Sequence, residues 1–226
     1  MLVKTCGLRS AEAVRAAIAA GADAIGFMLA PSRRRVTIPE AAAIRGEVGE
    51  LDAVRPVFVA VTVNPTVVEI AAIAESGVFD GIQLSGDEMP EILGRIPASL
   101  SVWKAFRPGP DDPVDTVLRN IDAWLEEPNP ASRIMLDAYH PGSYGGSGVV
   151  GNWALAAEVA RRYPIVLAGG LTPENVGAAI MAVRPAGVDV SSGIETDGAK
   201  DPAKIVAFIH AARTAGAETS LPAGRA

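Results

Sequence analysis

Residues 165–193, IVLAGGLTPENVGAAIMAVRPAGVDVSSG, decide how the chain is built. Ile165–Ala168 is a short apolar, β-branched run, and Pro173–Val183 after it has helical period. Val188–Val190 opens a second run, which a helical pattern over Pro202–Arg213 follows. Each run ends on small residues, Gly169-Gly170 in one case and Ser191-Ser192-Gly193 in the other. A strand that is always followed by a helix points to parallel pairing, because a parallel neighbour is reached only through a crossover.

The same unit recurs upstream. Val3–Cys6 reads as a strand, with Ser10 as N-cap of a helix over Ala11–Ala20 that stops at Gly21. Ala24–Leu29 precedes a helix starting near Pro39; Val57–Val63 pairs with Thr66–Ser76, and Phe79–Leu84 with Asp87–Arg95. Val102–Phe106 pairs with Val114–Leu125, and Ile134–Asp137 with Trp153–Arg162. Eight units in order predict an α/β fold, a single (β/α)8 barrel of eight parallel strands, with an open doubly wound sheet as the alternative. The barrel is expected over residues 1–217, with 218–226 a disordered tail because it lacks apolar period.

Composition bounds the function. The 226 residues are 49% hydrophobic and 20% charged, enough apolar material for a real core. The formal charge of −6 argues against nucleic acid or an anionic membrane as partner, so an anionic ligand must be held locally. One cysteine excludes an intramolecular disulfide, and with two histidines it forms no zinc pattern, so no metal site is expected. Met1-Leu2-Val3-Lys4 begins no leader pattern and no apolar run approaches a membrane span, so a soluble, cytoplasmic protein is expected. Oligomeric state is open between monomer and homodimer.

In a barrel of this kind the strand C-termini and the loops after them carry the chemistry. Cys6 ends strand one, Arg33-Arg34-Arg35 follow strand two, and Asp137 ends strand six. Gly145-Gly146-Ser147-Gly148 come next, and the small residues after strands seven and eight complete the rim. Gly169, Gly170, Ser191, Ser192 and Gly193 suit phosphate, since backbone N–H groups can approach an anion there; tight turns needing glycine are the plainer reading. Asp137 closes an apolar run where a carboxylate must be paired or used, with Lys4 or Lys104 as possible structural partners. Alternation puts Lys4 with Cys6, and Met135 with Asp137, on common strand faces, so a base and an acid look into one mouth. The string 146–151 formally fits G-x-G-x-x-G but starts nine residues beyond Asp137, so a lid explains it better than a dinucleotide site.

Lys4-Thr5-Cys6-Gly7, Gln83-Leu84-Ser85-Gly86-Asp87, Tyr144-Gly145-Gly146-Ser147-Gly148, Ala168-Gly169-Gly170-Leu171-Thr172-Pro173 and Asp189-Val190-Ser191-Ser192-Gly193-Ile194-Glu195, in this order, resemble the phosphoribosylanthranilate isomerases of tryptophan biosynthesis. The resemblance implies a cofactor-free Amadori rearrangement of N-(5′-phosphoribosyl)anthranilate, with a small phosphorylated molecule as partner. It implies Asp137 as general acid, Cys6 as general base, and Arg35 on the anthranilate carboxylate. The loops with Gly146, Gly148, Gly169, Gly170, Ser191, Ser192 and Gly193 would line the ligand. Two departures stand out: Ser85 where the family usually has histidine, facing the mouth, and Gly151-Asn152 where it usually has Phe-Asp. They keep open another barrel isomerase or epimerase acting on a related sugar phosphate, and a non-catalytic metabolite-binding paralogue.

Overall fold

Eight strands, β1 (Leu2–Cys6), β2 (Ala24–Met28), β3 (Val57–Thr62), β4 (Gly81–Leu84), β5 (Ser101–Phe106), β6 (Arg133–Leu136), β7 (Ile165–Leu167) and β8 (Gly187–Val190), pair in parallel in chain order. β8 pairs back onto β1, which closes a (β/α)8 barrel. This is a computed structural model, and it describes residues 1–49, 55–138 and 151–220.

Between strands run α1 (Ala11–Ala19), α2 (Ile38–Val48), α3 (Val67–Glu75), α4 (Val114–Leu125), α5 (Trp153–Ala160) and α6 (Val176–Val183), with α7 (Pro202–Ser220) last. Their starts are written locally. Ser10 accepts from the Ala13 N–H, while Thr37 with Glu40 and Thr66 with Glu69 form reciprocal capping boxes. Asn152 caps α5 through the Leu155 N–H at 3.0 Å, so this departure keeps the cap. Each such cap contributes about 1 kcal/mol.

Two helical expectations need correction. The segment after β4 forms a 3-10 helix over Pro90–Arg95 instead of a helix from Asp87. Glu88 is occupied in the loop, accepting from the Asn64 and Gly86 N–H groups, and Pro90 has no N–H with which to extend a helix backwards. At the other end α7 runs past Arg213 to Ser220, three residues into the stretch expected to be a tail.

Strand parity divides the core. One set of side chains faces the helices, including the Phe27, Phe58 and Phe79 cluster. The alternate set fills the barrel interior: Ala24, Val59, Trp103, Ala105, Met135 and Val166. The same parity carries Lys4, Gln83 and Asp189 inward, where Gln83 and Asp189 reach the cavity. Among the described residues no helix is long and apolar enough to cross a membrane.

Candidate active site

At the C-terminal ends of the strands lies a cavity of about 650 Å³. Cys6, Asp137, Ser85, Gly169, Gly170, Ser191 and Ser192, all expected at the site, line it. Gly193 stands just behind. A side-chain carbon there would lie 1.9 Å from the Leu171 carbonyl oxygen, so only glycine lets the loops after β7 and β8 close on each other. Gly169 and Gly170 have φ of 86° and 62°, so the tight-turn requirement holds for both alongside their place on the cavity wall. Gly146, Gly148 and the lid expected with them lie outside the described residues.

Asp137 is the first residue after β6, held in the ladder by its N–H on the Phe106 carbonyl. Burial pushes its carboxyl from 3.8 up to about 6; the Ala138 N–H, donating to Oδ1 at 2.8 Å, opposes this, and the Asp189 charge adds to it. Neither expected structural partner pairs with it. Lys4 binds Asp189 at 2.9 Å and Lys104 binds Glu88 at 2.6 Å, on the far side of the strand layer. A carboxyl near 6 can hold a proton and release it at neutral pH.

Cys6 is buried at the top of β1, and burial raises its thiol pKa while Lys4 and Lys200 act to lower it. Lys4 is fully buried. Desolvation works against its ammonium, but Asp189 and a hydrogen bond to Cys6 prevail and raise its pKa. The Lys4–Asp189 pair spans the β1/β8 seam, where the two residues are register partners. Asp189 also lines the cavity. Sequence reading missed it as a site residue, although a carboxylate between Val188 and Val190 carries the same signal that singled out Asp137.

Arg35 is not on the wall of this cavity. Its Nε donates to the Leu29 carbonyl at 3.2 Å, and it lines a neighbouring cavity of about 380 Å³. The two cavities share Ala30, Pro31 and Val63. Arg33 and Arg34 line the main cavity instead, both paired with Glu195. Ser85 accepts from Gln83 Nε2 at 3.0 Å, while the buried Gln83 Oε1 has no partner among the described residues.

Comparison with known proteins agrees with this geometry. The family model for N-(5′-phosphoribosyl)anthranilate (PRA) isomerase matches residues 3–211. The chain is 47% identical over 220 residues to the N-(5′-phosphoribosyl)anthranilate isomerase of Roseiflexus castenholzii, covering 95% of this chain and 99% of that one. Its fold is similar to the phosphoribosyl anthranilate isomerase of Thermotoga maritima, with a TM-score of 0.79 at 32% identity, covering 95% and 100% of the two chains. A further similar structure, with a TM-score of 0.76 at 32% identity and the same coverage, is a phosphoribosyl anthranilate isomerase in complex with reduced 1-(o-carboxyphenylamino)-1-deoxyribulose 5-phosphate. With its barrel, cavity and sequence in agreement over nearly its whole length, this chain belongs to the phosphoribosylanthranilate isomerase family.

Proposed function

We propose that the chain converts N-(5′-phosphoribosyl)anthranilate to 1-(2-carboxyphenylamino)-1-deoxyribulose 5-phosphate, with Asp137 and Cys6 as its acid and base. One observation carries the reading: a carboxyl poised near 6 and the chain's one thiol line the same cavity as the small-residue loops after β7 and β8.

The ribose phosphate lies against Gly169, Gly170, Ser191 and Ser192. Asp137 gives its proton to the ring oxygen, the C1–O bond breaks, and the nitrogen lone pair forms the Schiff base. The Cys6 thiolate takes the proton from C2, and the electrons of that bond return to the iminium nitrogen as an enolamine. Tautomerisation to the ketone completes an isomerisation that needs no outside oxidant or reductant. Arg35, in the adjoining cavity, supplies a guanidinium for the anthranilate carboxylate, which it can bind bidentately. Ser85, on the main cavity wall, adds a small hydroxyl where an imidazole would take more room. The chemistry asks for protonated Asp137 and ionised Cys6, the reverse of the majority state at neutral pH, so turnover runs through a minority protonation state. A free buried thiol suits a reducing, cytoplasmic setting.

Steady-state turnover of freshly generated substrate, followed by loss of anthranilate fluorescence, tests this. Cys6→Ser is expected to lower kcat by about 10² to 10⁴ while the variant stays folded. Near-normal turnover in the folded variant refutes the base. No turnover in the unaltered chain refutes the reaction.

A further inference from the structure

After β8 the chain makes a short 3-10 turn (Ser192–Ile194) and then a two-stranded hairpin, β9 (Glu195–Thr196) and β10 (Ala199–Lys200). The hairpin returns Lys200 beneath the loop it has just left. Lys200 Nζ donates to the Ser191 carbonyl at 2.7 Å and lies 3.4 Å from Ser191 Oγ and 3.0 Å from Glu195 Oε1. In a trans peptide the C=O and the next N–H point in opposite directions. Holding the Ser191 carbonyl therefore turns the Ser192 N–H away from Lys200. The loop after β7 uses the same device, since Asn175 Nδ2 holds the Gly170 carbonyl at 2.9 Å.

Charge accompanies this geometry. Glu195 takes Arg34 through two bonds, Nε at 2.6 Å and an Nη at 3.0 Å, and takes Arg33 at 2.6 Å. Side-chain exposure is 8% for Arg34, 5% for Glu195 and 7% for Lys200, so solvent screens these three little, while Arg33 at 57% is the screened member of the cluster. Among the described residues, three cations within reach of one carboxylate leave an excess of two positive charges beside Ser191 and Ser192. A phosphate monoester carries about −1.5 to −2 at neutral pH.

We propose that Lys200 is a positioning residue for the phosphate end of the ligand: it aims the Ser191–Ser192 peptide at the anion and, with Arg33 and Arg34, supplies the positive excess that balances it. Glu195 is the clasp that fixes the three cations to the loop. This rests on the phosphate reading of the loops after β7 and β8, and adds to it Lys200, which motif and spacing did not mark.

Inorganic phosphate as a competitive inhibitor of turnover provides the probe. In Lys200→Met, the Ki for phosphate and the KM for substrate rise together about tenfold to a hundredfold, the worth of a charge-assisted hydrogen bond. Meanwhile kcat falls by less than KM rises, because the lost hydrogen bond is common to ground and transition states and only the weaker pull of Lys200 on the Cys6 thiol bears on the chemical step. Lys200→Arg recovers most of the loss in Ki. Glu195→Gln, which keeps the clasp's shape and removes its charge, lowers Ki several-fold and serves as the test should Lys200→Met not fold. Unchanged Ki in folded Lys200→Met, a fall in kcat with KM unchanged, or weaker phosphate binding in Glu195→Gln overturns the proposal. If phosphate does not compete in the unaltered chain, the phosphate reading falls and takes this proposal with it.

Discussion

Replacing Asp137 by asparagine should make the protein more stable and nearly inactive. Burial moves this carboxyl from 3.8 up to about 6, a difference worth about 3 kcal/mol in the free energy of ionising it inside the fold. Because the native state holds the proton more tightly than the unfolded chain, the fold is favoured at low pH, and the advantage is lost as pH rises through about 6. At neutral pH the ionised carboxylate is therefore a burden. Asparagine never ionises and can still accept from the Ala138 N–H through its amide oxygen. After the amide's own burial cost is set against the gain, about 2 kcal/mol should remain near pH 7.5, or a rise in Tm of about 4 to 8 °C for a chain of this size. Below about pH 4 the gain is absent and the amide's burial cost remains, so the variant should there be about 1 kcal/mol less stable than its parent. Thermal or urea unfolding of both proteins at pH 4 and pH 7.5 measures it, with turnover of the variant expected to fall about 10² to 10⁴-fold. A variant less stable than its parent at pH 7.5, or a stability difference independent of pH, refutes the argument.

Two further outcomes follow from the same geometry. Since Cys6 is the one cysteine, the pH dependence of alkylation by iodoacetamide reports it alone; it should titrate above the ordinary range near 9, because burial outweighs Lys4, and Lys4→Met should move it higher still. Titration at or below the ordinary value refutes this. Gly193→Ala places a carbon 1.9 Å from the Leu171 carbonyl where 3.0 Å is the floor, so the loops after β7 and β8 must part by about 1 Å. A displacement of that size costs about 10²-fold in kcat/KM, and steady-state kinetics with unchanged values would refute it.

The fold was legible because it is local. Each βα unit announces itself in about 25 residues through an apolar run, a cap such as Ser10 or Thr66, and helical period, and parallel order follows from alternation. What failed was also local, but set by partners far along the chain. Glu88 was read as helical because nothing near it in sequence says that Asn64 and Lys104 will claim it. The site was legible where parity and strand ends suffice, as for Cys6, Asp137 and Ser85. It was illegible where a role depends on closure: Lys4 and Asp189 lie 185 residues apart and meet only across the seam that makes the barrel a barrel. The three arginines show the remaining limit, since resemblance points to Arg35, while the paths of Arg34 and Arg33 to Glu195 depend on a hairpin 161 residues further on.

In the proposed reaction charge moves within a buried site. Among the described residues the barrel's upper interior holds one fully buried cation, Lys4, beside three acidic groups: Cys6, Asp137 and Asp189. With Asp189 ionised against Lys4, that pair is neutral, and the proposed step places one further negative charge on either Cys6 or Asp137. Ionising both would leave two uncompensated charges in a medium where each is costly. The proposed reaction meets this constraint at both ends, and between them, when both groups are ionised, the iminium cation of the opened substrate balances the extra charge. It starts with the proton on Asp137 and the charge on Cys6, and once the ring has opened and C2 has lost its proton, the charge sits on Asp137 and the proton on Cys6. The substrate carries the proton's equivalent across the cavity, and the interior sees a negative charge relocated without being created. Burial that would penalise either ionised group alone therefore weighs on both ends of the step alike.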